Sequence, residues 1–105
     1  MYLPNAFTHP AEFRVEIERV AQSLPPHVVS ITHTLDYDWS GEPAVFFMVI
    51  LADSATQRDR LLKNSNQVSE AIWEQVQPLE EWRVYPYFSF RSKSEQARLD
   101  ERALA

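Results

Sequence analysis

The chain contains no cysteine. It therefore has no disulfide, no thiolate metal site and no cysteine nucleophile, a composition in keeping with a cytoplasmic protein. Glycine occurs once, at Gly41, which excludes any glycine-rich phosphate loop. Lysine occurs only as Lys63 and Lys93, and the formal net charge is −5. Without a basic patch, neither nucleic acid nor an anionic membrane surface is an expected partner. Long apolar runs are missing as well. The longest, Ala44 to Ala52, spans nine residues, whereas a membrane helix needs about twenty. The opening Met1-Tyr2-Leu3-Pro4-Asn5 shows no basic region and no apolar stretch of signal-peptide length, which again points to the cytoplasm.

What remains is enough for one folded domain over residues 1–105, with 45% hydrophobic and 12% aromatic residues. That content argues against disorder. Residues 1–8 read as an extended arm. His9-Pro10-Ala11-Glu12 reads as a helix start, because proline suits the first turn. Phe13, Ile17, Val20, Ala21 and Leu24 follow on one helical face, and Pro25-Pro26 stops the helix.

From His27 the period changes to two. Val29, Ile31, His33, Leu35 and Tyr37 alternate with Val28, Ser30, Thr32, Thr34 and Asp36, the pattern of a half-buried strand. Val45 to Leu51 is apolar at every position, as in a central strand covered on both faces. Ser54 and Gln57 have capping-box spacing, so a helix is expected from Ser54 to about Val76. Its buried stripe would be Leu61, Ser65, Val68, Ile72 and Val76, with a weak point at Asn64-Ser65-Asn66. Trp82 to Phe90 reads as a third strand. Pro86 marks it as an edge strand or a bulged one. Ser94-Glu95-Gln96-Ala97 starts a last helix containing Leu99 and Leu104. The expected fold is α+β, in the order α-β-β-α-β-α. Its three-stranded mixed sheet combines a β-hairpin with one parallel strand, packed against helices.

The octet Asp36-Tyr37-Asp38-Trp39-Ser40-Gly41-Glu42-Pro43 joins the first two strands. A lone glycine there suggests a backbone angle that other residues resist. Asp36 and Asp38 share a strand face, and such a pair can hold a divalent metal when a third carboxylate is near. Asp53 is the obvious third. A hairpin centred on Ser40-Gly41 sets Asp36 opposite about Val45, which leaves Asp53 ~25 Å along the ladder at ~3.3 Å per residue. No metal ligand set or cofactor follows. Asp36, Tyr37, Asp38, Trp39, Gly41 and Glu42 instead form an acidic, aromatic tip. Tryptophan and tyrosine are common interface anchors, and flanking acids suit a basic partner.

At the other end of the sheet, His27, Asp53 and Arg91 fall together. Arg91 and the amides of the helix near Ser94 could hold an anion, or Arg91 could pair with Asp53. His33 lies on the apolar face of its strand, and the three histidines are too dispersed for a metal motif. No Ser-His-Asp grouping or nucleophile elbow is present. The apolar second strand and aromatic third strand would need cover, from the last helix or from another chain, including a second copy in a homodimer.

The stretch Leu35 to Asp53, with Tyr87-Phe88-Ser89-Phe90-Arg91-Ser92-Lys93-Ser94-Glu95, resembles short bacterial proteins of unassigned function. Such proteins are encoded beside HEPN-type helical proteins, as in two-gene toxin–antitoxin modules. The resemblance implies a protein partner, basic and helical, and an antitoxin-like role without catalysis. The usual antitoxin of such pairs is a minimal nucleotidyltransferase. A metal-dependent enzyme of that kind using Asp36 and Asp38 is the alternative, but this chain lacks the Gly-Ser turn that precedes the aspartates in that family.

Overall fold

The computed structural model describes residues 3–104. Its order is α-β-β-α-β-α, an α+β architecture around a three-stranded mixed sheet. The elements are α1 (Asn5–Thr8), α2 (Pro10–Ala21), β1 (Val28–Tyr37), β2 (Pro43–Leu51), α3 (Leu61–Gln75), β3 (Tyr85–Ser92) and α4 (Lys93–Leu104). The sheet order is β1-β2-β3. The hairpin β1-β2 is antiparallel, and β3 lies parallel to β2. Among the described residues, no helix is long and apolar enough to cross a membrane.

One face of the sheet carries α1, α2 and α3. Val45, Phe47, Val49 and Leu51 point into that layer and are all buried. Phe13, Ile17 and Val20 of α2, with Val68, Ile72 and Val76 of α3 and its C-cap, complete the core. The helical spacing read from the sequence accounts for each of these positions. The alternate positions face the other way. Ser30, Thr32, Thr34 and Asp36 of β1, Phe46 and Met48 of β2, and Tyr85, Tyr87, Ser89 and Arg91 of β3 line a face outside the two core clusters, where Trp73 of α3 reaches Tyr85 at the β3 edge.

Three local expectations are corrected. Part of the N-terminal arm is a helical turn, α1, which buries Ala6 and is tied down by the Ala6 amide donating to the Trp82 carbonyl at 3.2 Å. Met1 and Tyr2 lie outside the described residues. The long helix does not begin at Ser54. Asp53–Thr56 is a single 3-10 turn without a side-chain cap, Gln57 is extended, and α3 starts at Leu61. The capping pattern loses to tertiary anchoring. Ala55 is buried beside Leu51 and Val68, and Asn64 Nδ2 donates to the Ala55 carbonyl at 2.9 Å. Asn64, a poor helix former, is thus a strut inside α3 and not the site of a break. The third strand begins at Tyr85, while Trp82 sits in the preceding turn against Phe13, ring centroids 5.0 Å apart.

Pro86 pairs with Val45 in an unbroken parallel register. Odd residues of β2 bond outward to β3, so the proline nitrogen faces the free edge, where no donor is needed. In α4, Leu99 is half-buried, and the side chain of Leu104 falls outside the described residues.

Candidate functional site

The β1–β2 turn is built around Asp38. The Asp38 amide donates to the Glu42 carbonyl at 2.8 Å, and the Gly41 amide donates to the Asp38 carbonyl at 3.0 Å. Gly41 has φ +84°. This is a three-residue loop in which a β-turn ends in a left-handed residue, a geometry that matches strand twist and selects glycine. The Asp38 carboxylate fastens the loop. Oδ1 accepts the Ser40 amide at 2.9 Å, the Ser40 hydroxyl at 2.6 Å and the Glu42 amide at 3.0 Å. Oδ2 accepts the Tyr87 hydroxyl at 2.9 Å. These donors, led by the Ser40 hydroxyl, hold the Asp38 pKa down at about 2. The Tyr87 pKa is raised by desolvation and by its bond to Asp38.

Trp39 is 83% exposed, yet it is not free. Its ring lies 5.2 Å from that of Tyr87, which stacks on Phe46 at 5.3 Å and 17° and continues to Tyr85 at 5.2 Å. An aromatic strip therefore runs from the tip along the sheet face opposite the main core. Asp36 and Glu42 are exposed beside it. Among the described residues, the ion pairs are Arg14–Glu18 and Arg19–Glu16, both within α2, so no cation among them answers the tip.

Tyr37 belongs elsewhere. It faces the helical layer, edge-on to Phe7 at 5.3 Å, because the side-chain period of two sends it away from Asp36 and Asp38. The tip named from the sequence is thus divided between two faces. Asp36 lies opposite Ala44, one residue short of the expected Val45, and its Oδ1 accepts the Tyr37 amide at 2.7 Å. A metal ion between Asp36 and Asp38 would compete with all of these bonds. Among the described residues, no group of three or more His, Asp or Glu is placed to hold a metal ion.

His27, Asp53 and Arg91 do lie at one end of the sheet, but they form no joint site. Asp53 caps α4. Its Oδ1 accepts the Ser94 amide at 2.9 Å, and its Oδ2 accepts the Ser94 hydroxyl. These bonds lower its pKa, and the carboxylate occupies the place an anion would take at that helix start. Arg91 donates to Gln96 Oε1 at 3.0 Å rather than to Asp53. His27 is half-buried, and its Nε2 is buried without a hydrogen-bond partner among the described residues. His33 is also half-buried, edge-on to Phe13 at 5.5 Å. Desolvation first, then Arg14, lowers its pKa.

Sequence reasoning did not attach Tyr87 and Phe46 to the tip. Their alternation was visible, but only the parallel register sets Tyr87 beside Phe46. A cleft of about 580 Å³ opens separately between α2 and the α3–β3 loop, with Glu12, Glu16, Glu81 and Trp82 on its walls. Comparison with protein-family models, with curated proteins and with solved structures found no match to this chain.

Proposed function

We propose that this chain is a small, non-enzymatic protein-interaction module. It holds a basic, helical partner against the tip and the aromatic strip, as the antitoxin-like half of a bacterial two-protein pair. The observation that carries this reading is Trp39, 83% exposed on a loop that Asp38 fixes in place. An exposed indole on a rigid support loses little freedom when it binds, which is how interface anchors gain affinity. Tyr87 and Phe46 extend the apolar contact, and the exposed carboxylates of Asp36 and Glu42 supply the charge a basic partner would meet.

The test is affinity capture followed by calorimetry with the purified partner. Wild type should retain a basic helical protein. Trp39→Ala should weaken that complex at least ~10-fold, as loss of a hot spot does. Asp36→Asn with Glu42→Gln should reduce its salt dependence. A complex of undiminished affinity with Trp39→Ala would remove the tip from the interface.

A further inference from the structure

The two edges of the sheet are treated differently. β3 carries Pro86, and Trp73 of α3 packs edge-on against its Tyr85 at 5.8 Å. β1 is ten residues long and has neither proline nor lysine, the devices that commonly blunt an edge. The bond from the Asp38 amide to Glu42 sets the alternation along β1. With partners 36↔44, 34↔46 and 32↔48 in register, even residues bond to β2. The amides and carbonyls of Ile31, His33 and Leu35 then point to the open edge.

The order of residue types along this edge is symmetric about His33. Thr32 mirrors Thr34, Ile31 mirrors Leu35, Ser30 mirrors Asp36, and Val29 mirrors Tyr37. Val29 and Tyr37 are also the exposed large hydrophobics of the strand, at 49% and 50%.

We infer that β1 pairs antiparallel with β1 of a second copy about a twofold axis at His33, giving a continuous six-stranded sheet. In this register the outward groups of Ile31, His33 and Leu35 meet those of Leu35, His33 and Ile31 of the second copy. Threonine faces threonine, a favourable cross-strand pair. Val29 and Tyr37 cover each other at the ends, and the irregularity between Val28 and Ser30 stops the ladder there. A self-complementary patch is what a twofold interface requires. The Tyr87 faces of both copies then lie on one side of the dimer, with the two Trp39 tips at its opposite ends, ~40 Å apart at ~3.3 Å per residue. The inference stands on the edge alone and does not need the partner reading above.

Because the chain has no cysteine, introduced thiols report pairing without background. Thr32→Cys and Thr34→Cys, both at exposed positions, are prepared separately, mixed and mildly oxidised. Residues 32 and 34 form a close, non-hydrogen-bonded pair in this register, within disulfide reach. The mixture should give a disulfide-linked dimer, at least ~10-fold more than either variant alone. Sedimentation of wild type should give twice the monomer mass. Equal crosslinking in the separate variants would place the contact in another register and overturn the assignment. A monomer mass at millimolar concentration, with no crosslink in the mixture, would overturn the dimer itself.

Discussion

The Tyr87 hydroxyl donates to Asp38 Oδ2 at 2.9 Å, across 49 positions of sequence. This bond ties the edge strand β3 to the β1–β2 turn, and it holds the ring on which Trp39 leans. Tip and sheet face therefore behave as one unit.

Asp38 makes the turn pH-dependent. Its folded pKa is about 2, below the ordinary 3.8. A depressed carboxylate stabilises the fold above its unfolded pKa and loses that contribution as pH falls through the folded value. Asp38→Asn should therefore melt below wild type near neutral pH. The gap should narrow under pH 3.8 and close near pH 2, as followed by circular dichroism.

Gly41 should resist substitution for a backbone reason alone. An added Cβ meets nothing within 4 Å, yet φ is +84°. Gly41→Ala should cost about 1–2 kcal/mol in urea unfolding. Gly41→Asn should cost less, since asparagine tolerates that region.

Gln77 follows the α3 C-cap with φ 52°, where glycine is the usual residue. Gln77→Gly should raise stability by about 0.5–1 kcal/mol, the relief of left-handed strain less the added chain entropy. An unchanged or lower denaturation midpoint would count against strain at this position.

Phe13 is fully buried between His33 and Trp82. Phe13→Ala should cost about 3–5 kcal/mol and shift tryptophan fluorescence to the red as Trp82 gains water. Trp39→Ala, by contrast, should change stability by no more than about 0.5 kcal/mol.

Asp53→Ala should free the start of α4. The Ser94 amide would lose its acceptor, so amide exchange over the first turn of α4 should accelerate while β2 stays protected.

The amino-acid pattern alone determined the order of the strands and the longer helices, though not the short α1. Alternation wrote β1, a 3.6-residue period wrote α2, and a continuous apolar run marked β2 as central. Gly41 marked its turn because only the local backbone angle was at stake. Pro86 marked an edge strand because a missing donor is tolerated only where no ladder bond is needed. The resulting hairpin also sent Asp53 away from Asp36, since rise per residue is fixed.

Tertiary structure decided what depends on partners distant in sequence. The parallel register set Tyr87 beside Phe46 and within reach of Asp38. Burial of Ala55 overrode the capping pattern at Ser54 and Gln57. Ser94, rather than Arg91, took the carboxylate of Asp53, because a helix start offers amides already aimed at an acceptor. The glycine rule held in one direction only. Gly41 does sit at a left-handed angle, but Gln77 and Arg83 also adopt positive φ without being glycine. Packing of the α3–β3 segment imposes those angles, with Val76, Pro78 and Val84 buried in the fold. Local chemistry names the residues able to make a turn or a face, and only the packed chain settles which of them meet.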